Sequence, residues 1–263
     1  MTVLSITTDF GLTNGFVGVM KGVVYRIAPE VKIVDISHLI AAQNVLEGAY
    51  VMWRAVPFFP PGSVHVGVVD PDVGTKRRPI GARLGDQYFI APDNGLLTPL
   101  ILEAERKGEA VDFVHLDNPK FWLPKVSNTF HGRDIFAPSA AYLAAGVPLM
   151  ELGTPISDPI LLDLPRPEKT DNGWLAHVKI IDIFGNLTTD LPVEALEGRR
   201  DVLIQIHGHE IEGITDSYGH RDAGELVAVV DSESYIEIAV VNGSAARNLG
   251  VQVGDTVEVI YRD

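Results

Sequence analysis

Three aspartates stand at or near the ends of strand-like apolar runs. Residues 3–8 run into Asp9, residues 31–36 contain Asp35 and lead to Ser37-His38, and residues 64–69 run into Asp70. In an open parallel sheet, ligands bind outside the carboxyl ends of the strands, so Asp9 and Asp70 would face one crevice. Aspartate in such a place also caps the turn or helix that follows. For a single aspartate the cap is the simpler reading; for two in equivalent positions the balance is even.

The segment Val69-Asp70-Pro71-Asp72-Val73-Gly74-Thr75-Lys76-Arg77-Arg78 is the most informative. A buried strand delivers an acid into a loop with Pro and Gly, and arginines follow. Loops held this way on a rigid sheet are usual places for catalysis. The segment Asn128-Thr129-Phe130-His131-Gly132-Arg133-Asp134 sets a histidine between an aromatic residue and a glycine, just before a helix. His131 is a candidate base, or simply a helix-start residue.

A third segment, Asp182-Ile183-Phe184-Gly185-Asn186-Leu187-Thr188-Thr189-Asp190, suits a purine. It offers a ring to stack on, close backbone approach at the glycine, and an amide for a base edge. Read alone, Gly185-Asn186 is a plain turn. His207-Gly208-His209 has the look of a metal pair but reads as a solvated hairpin tip. Gly15, Gly18 and Gly22 form no phosphate loop, and their spacing points to a close-packed helix face. Gly-x-Ser-x-Gly is absent, so a nucleophile elbow has no support.

The positioning elements alternate over the first two thirds of the chain. Strands are predicted at residues 3–8, 31–36 and 64–69. Helices are predicted at 14–28, with Phe16, Val19, Met20, Val23, Val24 and Ile27 on one face, and at 43–55, with Leu46, Ala49, Tyr50 and Trp53 in register. Residues 78–83 and 87–91 read as a hairpin about Gly85-Asp86. A helix from about Asp93 to Arg106, a strand at 111–116 and a helix at 133–145 follow. This βαβαβ order predicts an α/β fold with a mainly parallel sheet flanked by helices.

The pattern changes across the polar, proline-bearing stretch at residues 164–173. Short strands are predicted beyond it at 174–181, 201–207, 210–213, 226–230, 235–241 and 256–261, as in a small β-barrel or sandwich. The expected domains are 1–163, α/β, and 172–263, a smaller all-β barrel.

The 263 residues include 35 acidic and 21 basic side chains, a net charge of −14, with only short basic clusters at 76–78 and 199–200. That argues against nucleic acid and against an anionic membrane surface as partners. No apolar stretch reaches the roughly 18 residues of a membrane span. There is no cysteine, which excludes disulfides, thiolate metal sites and a cysteine nucleophile. With no basic stretch leading into an apolar one at residues 1–5, no signal peptide is expected, and a cytoplasmic location is.

Taken together, these segments resemble the S-adenosylmethionine (SAM) hydroxide adenosyltransferase family, relatives of the bacterial fluorinase and chlorinase. The matching stretches are Thr8-Asp9-Phe10-Gly11, Val69-Asp70-Pro71-Asp72-Val73-Gly74-Thr75, Phe130-His131-Gly132-Arg133-Asp134, Phe184-Gly185-Asn186, and Tyr235-Ile236-Glu237-Ile238-Ala239-Val240 followed by Gly243-Ser244-Ala245-Ala246. They occur in order over essentially the whole chain. Asp72 is a departure, since relatives commonly carry Gly there.

The resemblance implies hydrolysis of SAM to adenosine and methionine, with no metal or other cofactor. It implies a homotrimer with sites between neighbouring subunits and a water-activating set that falls on Asp70, Arg77 and His131. Halogenating relatives carry Tyr at the position of Asp70 and lack this His. Carried over by position, Asp9 holds the ribose hydroxyls and Phe130 lies against the substrate. Phe184 and Asn186 contact adenine, with a backbone contact near Ala245. Asp182 and Ser232 hold the methionine end, where Glu237 is a further candidate. The alternatives are a halide-dependent SAM adenosyltransferase and a SAM- or adenosine-binding module without turnover.

Overall fold

The computed structural model describes residues 2–262; Met1 and Asp263, the outer ends of the expected domains, lie outside the described residues. The chain divides into two compact units, Met1–Leu162 and Asp163–Asp263. Residues 158–167 carry neither helix nor strand.

The first unit contains β1 (Val3–Thr8), α1 (Phe16–Ile27), β2 (Lys32–Ser37), α2 (Val45–Ala55), β3 (Val64–Val68), β4 (Pro79–Leu84), β5 (Gln87–Pro92), α3 (Thr98–Lys107), β6 (Val111–His115), α4 (Ala137–Ala144) and β7 (Thr154–Ile156). One sheet runs in the order β2-β1-β3-β5-β4-β6-β7. The pairs β1–β2, β1–β3 and β3–β5 are parallel. The pairs β4–β5, β4–β6 and β6–β7 are antiparallel. The expected parallel order therefore holds where the early aspartates sit, and the hairpin at Gly85-Asp86 starts an antiparallel half.

Helices cover both faces. Val64, Val66 and Val68 of β3 pack with Leu4 and Ile6 of β1 against α1 and α4. Gly67, between them, faces α2 instead, where a Cβ would lie 2.5 Å from Met52 Sδ. A separate core joins α2 and α3 to β4 and β5.

Helix α1 is rotated from expectation. It buries Val17, Met20, Val23 and Val24, whereas Phe16 and Val19 are exposed. Residues 17, 20 and 24 form an i, i+3, i+7 stripe, which puts Gly15, Gly18 and Gly22 on the opposite side. The expected close-packed glycine face is open: a Cβ on any of the three would meet nothing within 4 Å.

The second unit contains β8 (Glu168–Thr170), β9 (Gly173–Ile181), β10 (Leu187–Pro192), β11 (Val202–Ile206), β12 (His209–Glu212), β13 (Leu226–Val230), β14 (Tyr235–Val240), α5 (Ala245–Leu249) and β15 (Thr256–Tyr261). The strands run in the order β12-β11-β15-β9-β10-β14-β13, with β8 beside β9, and every pairing is antiparallel. The ends of this path approach each other, and Thr215 N–H donates to Ala228 O at 2.9 Å. The result is a nearly closed barrel around Val178, Leu187, Ile204, Ile236, Ile238 and Val257.

His207-Gly208 joins β11 to β12 with φ of 47° and 78° at the two residues, as a two-residue hairpin requires. The His207 ring bonds Leu249 O and lies 3.0 Å from Asp255 Oδ2. Among the described residues no group of three or more histidine or acidic side chains could hold a metal. No described helix is long and apolar enough to cross a membrane.

Candidate active site

β3 is buried over all five residues, and the chain leaves it through Val69 into Asp70. β1 lies beside it in register, Thr8 opposite Val68, so Asp9 and Asp70 emerge from the same edge of the sheet. After Asp70 the loop closes two successive turns, Val73 N–H to Asp70 O and Thr75 N–H to Asp72 O. Thr75 Oγ1 then accepts the Arg77 N–H. The arginine folds back onto the aspartate: Nε donates to Oδ1 at 3.0 Å and Nη2 to Oδ2 at 2.5 Å. Both side chains are only 4% exposed. A two-point fork of this kind fixes orientation as well as charge.

Gly74 explains how this loop meets the histidine segment. It has φ +80°, and a Cβ there would lie 2.1 Å from Asn128 O. Only a residue without a side chain lets residues 70–77 dock on residues 128–131. Arg77 Nη2 thereby reaches His131 Nδ1 at 3.2 Å, and the guanidinium lies 5.2 Å from the Phe136 ring centroid. The histidine segment is shaped by buried Asp134, whose Oδ2 accepts from Ser127 N–H at 2.8 Å and Ser127 Oγ–H at 2.7 Å. Gly132–Phe136 forms a wide π turn leading into α4. Such turns are frequent at functional sites.

Burial, and then the positive charge of Arg77, hold the His131 pKa below its ordinary value; Asp70, Asp134 and the Ser127 backbone oppose them more weakly. His131 is therefore neutral at pH 7. Its Nδ1 accepts from Arg77, which places the ring proton on Nε2. Arg77 Nη1 is buried and has no hydrogen-bond partner.

Asp9 Oδ2 accepts the Gln43 N–H at 2.8 Å. Phe130 belongs to an aromatic cluster beside the site, edge-on to Phe10 and Phe16 at 5.9 and 5.3 Å between centroids. Arg133 caps its ring at 5.2 Å.

In the second unit Asp182 builds the turn between β9 and β10. Its Oδ1 accepts from Phe184 N–H and Asn186 N–H, and its Oδ2 from Asn186 Nδ2. Gly185, at φ +85°, lies so close to α5 that a Cβ would stand 2.0 Å from Ser244 Oγ. The turn presents Ile183 and Phe184 outward, 94% and 72% exposed. A cleft of about 710 Å³ opens beside it, bordered by Phe184, Asn186, Tyr218, Arg221, Gly243 and Arg247.

The other expected residues of this unit part company. The Ala245 side chain is wholly buried where the turn packs on the start of α5, Ala246 N–H donating to Gly185 O, and Gly243, two residues earlier, borders the cleft. Ser232 is exposed and donates to Glu233. Glu237 is buried beneath the cleft, where it accepts hydrogen bonds from the Tyr218 hydroxyl and from Thr188 Oγ1. Burial, with repulsion from Asp182 and Asp231, raises its pKa, although the Tyr218 hydrogen bond opposes the rise. Tyr218 did not emerge from the sequence. It sits in an aperiodic polar connection, and its only signal is a lone aromatic among turn residues.

Comparison with known proteins agrees across the chain. The N-terminal domain of the SAM hydroxide adenosyltransferase family matches residues 4–153, and its C-terminal domain matches residues 176–258. A protein of Salinispora tropica named (R)-S-adenosyl-L-methionine hydrolase is 39% identical over 269 residues, covering 97% of each chain. A protein of the same name from Thermus thermophilus is 35% identical over 257 residues, covering 96% of this chain and 97% of its own. Proteins named fluorinase match less closely, at 28% and 27% identity. The crystal structure of an uncharacterized conserved protein from Thermotoga maritima superposes with a TM-score of 0.89 at 37% identity, over 99% of this chain and 100% of its own. The chain belongs to the SAM hydroxide adenosyltransferase family.

Proposed function

We propose that the protein hydrolyses S-adenosyl-L-methionine to adenosine and L-methionine at the Asp70–Arg77–His131 set. The observation that carries this reading is Arg77 Nη1, a buried donor without a partner, on the guanidinium whose Nη2 is held between the Asp70 carboxylate and the neutral His131 imidazole. A buried donor left unpaired is costly, and a water there satisfies it. The guanidinium stabilises hydroxide character on that water. Asp70 is the acceptor for its proton, and His131, whose Nδ1 is engaged by Arg77, orients the water.

The step then balances. The water oxygen bonds to C5′ as the C5′–S bond breaks, and the sulfonium leaves with the electron pair as a neutral thioether. The leaving group needs no general acid, and this donor set calls for no metal or cofactor. In-line placement of the water, about 3–3.5 Å from the carbon, supplies much of the acceleration. Asp9 holds the ribose hydroxyls, Phe184 and Asn186 hold adenine with Tyr218 as a second wall, and Asp182 and Ser232 receive the methionine end. The exposed Ile183–Phe184 tip supports a homotrimer in which a neighbouring subunit covers it. The absence of cysteine fits a cytoplasmic setting.

The test is incubation with SAM alone in [18O]water. Adenosine carrying the label on its 5′-hydroxyl, with methionine in equal amount, is expected. Product that appears only with added halide, as 5′-haloadenosine, would mark a halogenase. Ligand binding without product would mark a binding module.

A further inference from the structure

His38 has no part in that chemistry, yet it is buried, 4% exposed, just beyond the end of β2 and alongside the end of β1. Its carbonyl accepts the Gly11 N–H at 2.8 Å. Its ring Nδ1 lies 2.9 Å from Thr8 Oγ1, and Thr8 Oγ1 also accepts the Phe10 N–H at 3.2 Å. Its ring Nε2 lies 3.0 Å from Asp35 Oδ1, and Lys21 Nζ holds the other oxygen of Asp35 at 2.5 Å. Burial works against ionisation of Asp35, but Lys21 and His38 outweigh it and lower its pKa.

These contacts have one consistent direction. The Asp35 carboxylate stands 3.0 Å from Nε2, out of line for a hydrogen bond, and its charge favours the imidazole proton on that nitrogen, which leaves Nδ1 as an acceptor. Thr8 must then donate to it, and the hydroxyl oxygen remains free to accept from Phe10. Every residue around Asp9 is thus tied to His38: Thr8 and Phe10 through the ring, Gly11 through the carbonyl. Asp9 itself is held from the far side by the Gln43 N–H.

We propose that the Lys21–Asp35–His38–Thr8 chain is a positioning device that aims the Asp9 carboxylate at the cis-diol of a ribonucleoside. This rests on the reading of Asp9 as the ribose ligand. A carboxylate receives both hydroxyls of a diol only in one orientation, so a slack loop loses recognition of the 2′-hydroxyl before it loses the rest of the nucleoside.

Binding of adenosine and 2′-deoxyadenosine to the intact protein, followed by calorimetry, tests it. Wild type is expected to prefer adenosine by about tenfold, one charge-assisted hydrogen bond's worth. His38→Ala should bring that preference below about threefold and leave 2′-deoxyadenosine binding nearly unchanged. In an Asp9→Asn background His38→Ala should add nothing, the signature of action through Asp9. His38→Gln, whose amide can both accept from Thr8 and donate to Asp35, should restore most of the preference. Thr8→Val breaks the same link with His38 in place and serves if His38→Ala does not fold.

Equal loss for both nucleosides, or additive losses with Asp9→Asn, would overturn the device in favour of a merely structural histidine. A folded His38→Ala protein that keeps the wild-type preference would overturn the device alone. A wild type without preference would overturn it together with the ribose role of Asp9.

Discussion

The two units carry their candidate residues on opposite physical plans. In the first, the reactive groups are sunk and satisfy one another: Asp70 and Arg77 are fork-paired, and the arginine also holds His131. In the second, the turn's polar groups are absorbed by Asp182, and what faces outward is apolar, Ile183 and Phe184. Charge stabilisation works best from preorganised groups in a water-poor place. Recognition of a flat base works best from an exposed ring that gains by being covered. On the proposed function, the comparison teaches that burial goes with the groups that act on the water and exposure with those that grip the ligand.

Crossed substitutions would break that comparison if it is wrong. Asp70→Ala and His131→Ala should each lower kcat by about 10²–10⁴-fold, with adenosine affinity changed only a few-fold, because the lost groups serve the attacking water. Asp70→Ala also strands a buried guanidinium, a loss of about 3–5 kcal/mol of stability, so turnover is counted per folded molecule. Phe184→Ala should do the reverse. Adenosine binding weakens by about 1–3 kcal/mol, kcat at saturation holds, and the melting temperature stays put. Near-normal turnover in folded Asp70→Ala and His131→Ala proteins would rule out the mechanism even with SAM as substrate.

Burial alone does not make a site, and the other end of β3 sharpens the point. His65 is fully buried, between Ser5 Oγ at 2.6 Å and Gln87 Oε1 at 3.3 Å, and stacked on Phe89. Burial pushes its pKa down to about 4 from 6.5, the Gln87 hydrogen bond opposing weakly. The unfolded chain protonates this histidine below pH 6.5 while the folded chain resists until about pH 4. Its stabilisation is therefore complete above pH 6.5 and is lost as pH falls through that window, about 3 kcal/mol in all. Denaturant unfolding at pH 7, 5.5 and 4.5 should show the slope, and His65→Gln should flatten it without changing kcat/KM at pH 7. An unchanged slope in the variant would assign the acid sensitivity to other groups.

The strand ends were legible because a run of β-branched residues stopping at an acid is a local signal, which is how Asp9 and Asp70 stood out. The meeting of Arg77 with His131 came from the family resemblance alone, since it depends on Gly74 touching Asn128, 54 residues away, and no local pattern pairs two such distant positions. β10 was overlooked because Leu187-Thr188-Thr189-Asp190 is short and polar and reads as chemistry before it reads as a strand. The short α5 was missed too, and with it the burial of Ala245. The apolar positions of α1 were found, but the face was turned: Phe16 leaves the core for the Phe10–Phe130 cluster, a contact no periodicity encodes.

The smallest effect is also the most direct probe of the buried plan. The His131 pKa is lowered by burial and by the Arg77 charge, against a smaller pull upward from Asp70. Removing either charge should therefore move it in opposite directions. Arg77→Gln should raise it, because a repelling cation has gone. Asp70→Asn should lower it further, because the attracting anion has gone and Arg77 remains. NMR titration of the His131 ring protons reads both shifts without any substrate. In the wild type, the imidazole is neutral from below pH 6.5 upward, so the acid limb of kcat/KM should also fall below the range of a free imidazole. A rise in the Asp70→Asn protein, or no shift in Arg77→Gln, would mean that the three side chains are not in electrostatic contact in solution. The sunk charge cluster would then be dismantled, and with it the contrast with the exposed turn at Phe184.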